Sequence, residues 1–167
     1  MTRRASLFAL LALLPAVSFA QQSAASPIDG VWKITEIVYT GGAKPETIAN
    51  PQPSQVMFSR GYYSWIIVNG TTPRKAAAAP AVPGKLTDAE KIARFEEWNE
   101  FAANAGTYEI KGSTLTRRPV VAKGVNVMTT NPPGAQQFTL EGNTLTLSGP
   151  TANDPKIQVR FRLTRVP

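Results

Sequence analysis

Apolar and polar side chains alternate one by one through many short segments of this chain, and that alternation constrains its fold most. It is cleanest at the end of the sequence, where residues 157–166 read IQVRFRLTRV. Similar segments are separated by turn residues such as Arg60-Gly61, Gly112 and Glu141-Gly142-Asn143. Side chains of a strand point alternately to its two faces, so each segment predicts a strand with one buried face.

Eight strands are predicted on this ground, with residues 119–128 counted as a continuation or bend of the fifth. Eight antiparallel strands close an up-and-down barrel whose interior is filled by side chains or holds one small ligand. The predicted fold class is therefore mostly β, an eight-stranded antiparallel up-and-down barrel with one helix inserted between strands 3 and 4. The predicted strands cover residues 30–40, 55–59, 62–69, 107–111, 113–128, 136–140, 144–148 and 157–166.

One amphipathic helix is predicted over residues of about 88–104. Thr87 and Glu90 have the spacing of a capping box, in which each side chain accepts a hydrogen bond from the other residue's backbone N–H. Apolar residues then recur every three or four positions, and Gly106 is expected to end the helix. We expect this stripe to lie on the sheet. The stripe consists of Ile92, Phe95, Trp98, Ala102 and Ala105.

The first twenty residues have the pattern of a cleaved export signal. A short basic region precedes an apolar run at residues 5–16, and Ser18-Phe19-Ala20 supplies the small residues of a cleavage site. The run is shorter than the ~20 residues that span a bilayer, and the chain has no cysteine to carry a lipid. We therefore predict cleavage near Ala20, no stable membrane anchor afterwards, and a periplasmic or secreted protein.

The rest of the chain predicts a single domain. Residues 21–27 form a short N-terminal tail, and residues 28–167 have the length of one domain with one core. Residues 70–85 contain three prolines and an alanine run, which predict a flexible surface loop. Cleavage of the signal removes two of the 18 basic residues and leaves 16 against 11 acidic ones, a net charge of +5. These basic residues are scattered, which argues against nucleic acid as a partner.

The parity of the apolar residues also predicts which side chains face the barrel interior. Most of these side chains are aliphatic or aromatic, but the same parity turns Glu36, Arg117 and Gln136 inward. A buried charge without a partner costs several kcal/mol. We therefore predict that Glu36 and Arg117 approach each other inside the barrel, near Gln136, or meet a ligand. The alternative is a strand bulge or frayed end that places Arg117 in solvent.

These interior residues make ligand binding the leading hypothesis for function. Aromatic side chains would line the site, and Arg117 with Gln136 would anchor a carboxylate or hydroxyl head group. The expected ligand is a small apolar or amphipathic molecule, with an acidic head group as one option. The candidate binding residues are Glu36, Tyr63, Trp65, Tyr108, Arg117, Gln136 and Phe138.

Two alternatives remain open. The chain has neither histidine nor cysteine, so it offers no Ser-His or Cys-His dyad and no nitrogen or sulfur metal ligand, and we predict no cofactor or metal. An enzyme of the isomerase or cyclase type would have to use Glu36 as its base. A non-catalytic module with a filled barrel would instead contact an envelope partner through residues 70–85 or 119–134. The oligomeric state is left open.

From Ile28 to Pro167 the chain resembles the bacterial lipocalin-like domain family, most of whose members are uncharacterised. The order and spacing of several short pieces carry this resemblance. It implies a lipocalin-like (calycin-type) barrel with the helix between the third and fourth strands. The matching pieces are Gly30-Val31-Trp32-Lys33-Ile34 and residues 56–64, 95–101, 105–109, 115–118 and 142–147.

The resemblance also implies a structural role for the first tryptophan. In lipocalins the tryptophan of a glycine-x-tryptophan motif packs at the closed end of the barrel, against an arginine from near the last strand. Trp32 is therefore expected to stack under Arg162 or Arg165. Such a cation–π contact contributes about 0.5–2 kcal/mol.

The chain departs from the family at its polar interior positions. Family members often have histidine where this chain has Arg117 and Arg118, and arginine where it has Gln136. Because this chain has no histidine, a proton-transfer role of those histidines does not carry over.

Overall fold

The computed structural model describes residues 25–129, 134–151 and 154–167. The predicted export signal, with its cleavage site near Ala20, lies outside the described residues, as does most of the predicted tail. Neither helix in the described ranges is long and apolar enough to cross a membrane.

The described strands form one antiparallel sheet that closes on itself. From β3 to β9 each strand pairs with the next in the chain, and β9 pairs with β1. These eight strands form the predicted barrel, and the short β2 pairs only with the second half of β1. The elements are β1 Gly30–Thr40, β2 Glu46–Ala49, β3 Ser54–Ser59, β4 Tyr62–Val68, α1 Asp88–Asn99, β5 Phe101–Lys111, β6 Thr114–Ala122, α2 Val125–Thr129, β7 Gly134–Glu141, β8 Thr144–Pro150 and β9 Gln158–Arg165.

The helix α1 lies between β4 and β5, not between the third and fourth strands. The count differs because β2 forms in a proline-containing segment that the sequence predicts to be a loop. Helix α1 also ends at Asn99 rather than near residue 104. Residues 101–106, with Gly106 among them, belong to β5 instead and pair with β4. There each residue satisfies its backbone groups through the β4 ladder instead of a further helical turn.

The capping box of α1 is confirmed, but the predicted packing of its apolar stripe is wrong. The Thr87 side chain accepts from the Glu90 N–H, and the Glu90 side chain accepts from the Thr87 N–H. None of the residues of α1 is buried, however, and Ile92, Phe95 and Trp98 are exposed. The helix therefore does not pack its apolar stripe on the sheet.

A bulge in β1 changes the predicted face of its second half. The pairing of β1 with β9 shifts register between Ile34 and Glu36. The side chain of the extra residue, Thr35, donates to the carbonyl of Arg162 at 3.2 Å. After the bulge Ile37 is buried and Glu36 points away from the core. The inward prediction for Glu36 is therefore wrong, since a bulge inverts the parity of every residue beyond it.

The barrel is closed at the end that carries the short turns. Trp32 is fully buried there, and its indole N–H donates to the Ile28 carbonyl at 2.8 Å. The guanidinium of Arg165 lies 4.3 Å from the centre of the Trp32 ring, so the contact implied by the resemblance is made by Arg165. Gly30 permits it, because its φ of +139° is unfavourable for other residues and an added Cβ would lie 2.5 Å from Arg165 Nη1. Arg162 is exposed on the outer face.

The carboxylate of Asp29 links the segment that precedes β1 to the same end of the barrel through three hydrogen bonds. The Tyr108 hydroxyl donates to it at 2.6 Å, and the backbone N–H groups of Ser26 and Arg60 donate at 3.0 and 3.3 Å. Burial alone would raise the pKa of Asp29, but these hydrogen bonds outweigh it and hold the pKa below its ordinary value of 3.8. The ionised carboxylate is thus the form that stabilises the fold.

We expect Asp29→Asn to lower stability at neutral pH by about 1–3 kcal/mol, the cost of losing hydrogen bonds to a charged group. Because the folded-state pKa of Asp29 lies below the unfolded one, its contribution is fully present above about pH 4 and is lost as the pH falls through the folded-state value. Urea midpoints of the two proteins, measured from pH 7 to pH 3, should therefore converge at the acid end. A constant difference across this range would contradict the assignment.

Candidate ligand-binding site

The centre of the candidate site is the side chain of Arg117, which β6 directs into the barrel. Its guanidinium carbon lies 4.5 Å from the centre of the Trp65 ring and 5.6 Å from that of Tyr63. Its Nη2 donates to the Gln136 side-chain oxygen at 2.9 Å. Gln136 is itself buried, at 7% exposure. The structure thus brings three of the other six candidate binding residues, Tyr63, Trp65 and Gln136, into contact with Arg117.

This cation has no counter-charge in the part of the chain that the structure describes. The ion pairs of the described residues involve other cations, and Arg117 Nε is buried with no hydrogen-bond partner there. Burial lowers the pKa of the Arg117 guanidinium, although the neighbouring Tyr63 opposes that shift. Arginine nevertheless stays protonated in proteins, so the site presents a positive charge with an unused donor.

The predicted pair between Glu36 and Arg117 is wrong. Glu36 lies on the outer surface, where Arg160 Nη2 approaches its carboxylate to 3.3 Å. The cause is the bulge at Thr35, which turns Glu36 outward, whereas Arg117 keeps the inward register that the sequence indicates. An isomerase or cyclase mechanism that uses Glu36 as an interior base therefore loses its base.

Asn104 belongs to the site, although the sequence does not predict it there. The Tyr63 hydroxyl donates to the Asn104 side-chain oxygen at 2.7 Å, and burial raises the pKa of Tyr63 in spite of the nearby Arg117. The apolar periodicity places Asn104 at the end of the predicted helix. Asn104 enters the site because β5 pairs with β4, which sets Asn104 opposite Trp65. A correct prediction of that pairing would have placed it there.

The remaining candidate residues divide between the two ends of the barrel. Trp65 makes an edge-to-face contact with Phe161, with ring centres 5.1 Å apart, and Phe138 packs partly buried against the same core. Tyr108 instead contacts Phe58 edge-to-face and gives its hydroxyl to Asp29 at the closed end. Tyr108 lies opposite Arg117 in the pairing of β5 with β6, but its hydroxyl is bound to Asp29 at the closed end.

The longer connections of the barrel, from β4 to β5 and from β6 to β7, lie at the end opposite Trp32. Tyr39, Ala102 and Phe161 are partly buried core residues, as are Ile110 and Leu140 beside the short turns at the Trp32 end. We call the end opposite Trp32, where β4 leads into the loop and α1, the open end.

Three grooves described by the structure lie on the outer wall instead. The largest has a volume of about 570 Å³ and is lined mainly by outward-facing residues of β1, β7, β8 and β9, such as Thr40, Gln137 and Arg160. Two smaller ones lie over β4, β5 and β6. Among the described residues, no group of three or more histidine, cysteine, aspartate or glutamate side chains could hold a metal ion.

Comparison with known proteins finds structural neighbours but no sequence family. No protein-family model matches the chain, and no curated protein matches it. Two solved structures are similar: a lipocalin-like protein from Bacteroides uniformis, with 12% identity and a TM-score of 0.45, and an uncharacterised protein from Bacteroides eggerthii, with 8% identity and a TM-score of 0.43. Each similarity covers 83% of this chain and 98% or 99% of the other chain, respectively. The closed pairing of eight antiparallel strands itself defines a lipocalin-like barrel.

Proposed function

We propose that this chain is an exported lipocalin-like protein whose barrel binds a small amphipathic molecule with an acidic head group. One observation carries the proposal: Arg117 is partly buried, its Nε atom is fully buried, and no carboxylate lies beside its guanidinium among the described residues. A buried charge without a counter-charge costs several kcal/mol, and an anionic ligand would offset that cost.

The groups around Arg117 suit a carboxylate. Arg117 Nε is a free donor, and the Gln136 side chain, which accepts from Arg117 Nη2, can direct its amide N–H groups at the same ligand. Charge-assisted hydrogen bonds of this type are roughly twice as strong as neutral ones. The apolar part of the ligand would lie against Trp65, Phe161 and Phe138 and extend toward the open end.

Export is part of the proposal and rests on the sequence. The basic region, apolar run and Ser18-Phe19-Ala20 of the first twenty residues have the order of a cleaved signal. A chain without cysteine folds in an oxidising compartment without forming disulfides, and its barrel core provides the stability.

Medium-chain carboxylic acids are expected to stabilise the protein against heat more than the alcohols and methyl esters of the same length. A ligand at 100 times its Kd adds about 2.7 kcal/mol, which for a domain of this size raises Tm by roughly 5–15 °C. Differential scanning fluorimetry with the three matched series measures this difference. Equal stabilisation by acid and alcohol would rule out the charged head group, and mass spectrometry of the denatured native protein would identify a ligand that co-purifies.

A further inference from the structure

The outer surface of the molecule has two sides of different chemistry. Thirteen large apolar side chains are exposed among the described residues, and twelve of them lie between Met57 and Met128. The outward positions of β8 and β9 carry hydroxyl and guanidinium groups, as in the cross-strand pair Thr146 and Arg162. Single exposed apolar residues are normal, but a large contiguous group of them marks an interaction surface.

The first part of the apolar side is the wall of the barrel over β4, β5 and β6. Here Tyr62 and Ile66 project from β4. A bulge in β6 brings two consecutive residues, Val120 and Val121, to the outside, where they are 72% and 61% exposed. Two shallow grooves of about 170 and 370 Å³ follow this wall and share Ala105 and Val121. We call these residues the apolar wall.

The second part is the exposed stripe of α1, formed by Ile92, Phe95 and Trp98, each of them more than half exposed. The stripe begins beside the wall, because Lys123 joins the two. Lys123 lines the smaller groove, donates to the carbonyl oxygens of Trp98 and Phe101, and lies 5.2 Å from the Trp98 ring centre. The Trp98 end of the helix therefore adjoins the wall, with Lys123 between the two apolar groups.

We propose that this surface is the interface of a symmetric homodimer in which the α1 stripe of each copy packs on the apolar wall of the other. Large side chains that are half exposed offer on the order of 100 Å² each. The seven side chains of stripe and wall thus reach roughly the 800 Å² per partner that a stable interface buries. Stripe and wall adjoin on one molecule. A two-fold axis between two copies therefore places the stripe of each copy on the wall of the other, so that the same contact forms twice.

Charge favours a second copy over a lipid surface as the occupant. Helices that lie on membranes carry lysine and arginine on their polar face. Helix α1 is acidic, with Asp88, Glu90, Glu96 and Glu97 against Lys91 and Arg94. The wall is bordered by cations at both ends of its valine pair, Arg118 and Lys123. Arg118 and Lys123 already contact Glu109 and backbone carbonyls of their own chain, so a second copy adds the longer-range attraction between these cations and a helix with four acidic and two basic residues.

The dimer can be tested by analytical ultracentrifugation of the full chain expressed with its own export signal. We expect the protein to be dimeric at about 100 µM, well above a micromolar Kd. Phe95→Glu and Val121→Lys should each weaken the dimer at least about 100-fold, since each acts in both copies of the contact. Val166→Glu, on the opposite side of the molecule, is the matched control and should stay dimeric. All three residues are exposed, so circular dichroism should not change, and neither should Tm at concentrations low enough to keep every protein monomeric.

Mixing the two monomeric variants tests which surfaces meet. A mixed dimer has one contact without a substitution. Its other contact places the introduced glutamate of Phe95→Glu against the introduced lysine of Val121→Lys. The mixture should therefore form a heterodimer. A wild-type protein that stays monomeric at every concentration would overturn the proposal. So would a mixture that stays monomeric, which excludes the contact of stripe with wall, or binding to lipid vesicles in place of dimerisation. None of these outcomes depends on a ligand in the barrel.

Discussion

Replacing Arg117 with methionine is expected to stabilise the free protein and to abolish its response to carboxylic acids. Replacing a buried ion pair with apolar side chains of similar volume is often neutral or stabilises a fold by about 1–4 kcal/mol, and a cation without a counter-charge has no such pairing energy to lose. Loss of the hydrogen bonds to a charged head group costs about 1.5–3 kcal/mol of binding, or roughly 10- to 150-fold in Kd. Urea unfolding and thermal shifts with and without acid measure the two effects, which have opposite signs.

Arg118→Met is the matched control for that substitution. Arg118 is the next residue of β6, points outward and pairs with Glu109 at 3.4 Å on the surface. An exposed pair of this kind contributes about 0–1 kcal/mol, so neither stability nor the response to acids should change appreciably. Acid binding that survives in Arg117→Met but not in Arg118→Met would refute the interior site.

Gln136→Glu is an independent test of the anion-binding site at Arg117. The new carboxylate would stand where the Gln136 oxygen now accepts from Arg117 Nη2 at 2.9 Å, and it would supply the counter-charge that the barrel lacks among its described residues. The free protein should become more stable at neutral pH, and the added acid should have little further effect because the cation is already paired.

Trp32→Ala should destabilise the barrel severely. Trp32 is fully buried, and truncation of a buried aromatic side chain to alanine costs about 3–5 kcal/mol. Small domains have only about 5–15 kcal/mol of total stability, so the variant should be near unfolding at room temperature. The urea midpoint measures this loss, and Arg165→Ala should show a smaller one because Trp32 remains to fill the closed end.

Trp98→Ala is the control that separates burial from residue type. Trp98 is 55% exposed on α1, so its truncation should cost the monomer far less than truncation of Trp32. The comparison is made at protein concentrations low enough to keep the proposed dimer dissociated. Similar losses for both tryptophans would contradict the assignment of Trp32 to the closed end.

The alternation of side chains predicts the barrel well because it is a local signal. Most strand positions, the hairpin turns and the inward register of Arg117 and Gln136 follow from it, and the closed-end contact of Trp32 follows from the resemblance. The prediction that the fifth strand continues through residue 128 is wrong, because the strand ends at Ala122 and α2 begins at Val125. The bulge at Thr35 could not be predicted in this way. It depends on hydrogen bonds to Arg162 and to Asn50, which lie in other parts of the chain.

The predictions for helix α1 are correct where they depend on local sequence and wrong where they depend on tertiary contacts. A capping box is contained in four consecutive residues, so Thr87 and Glu90 predict where α1 begins. Whether its apolar stripe is buried depends instead on tertiary contacts with the neighbouring strands, which the sequence of the helix does not encode. The predicted helix extends too far, into residues 101–106, for a similar reason: alanines and glycine fit either state, and only pairing with β4 selects the strand.

The pairing of the first strand, β1, with the last strand, β9, determines when the barrel can close during folding. Arg165 donates to the carbonyl of Asp29 at 2.5 Å, and these two residues are 136 positions apart in the chain. Contacts of such long range make folding slow, because the loop must close before they contribute. The first strand pairs with β2 and β3 early in the chain, but its ladder with β9, which closes the barrel, forms only when the last residues are available. Slow closure of this kind would suit the proposed export, because a chain must be unfolded while it passes through a translocation channel.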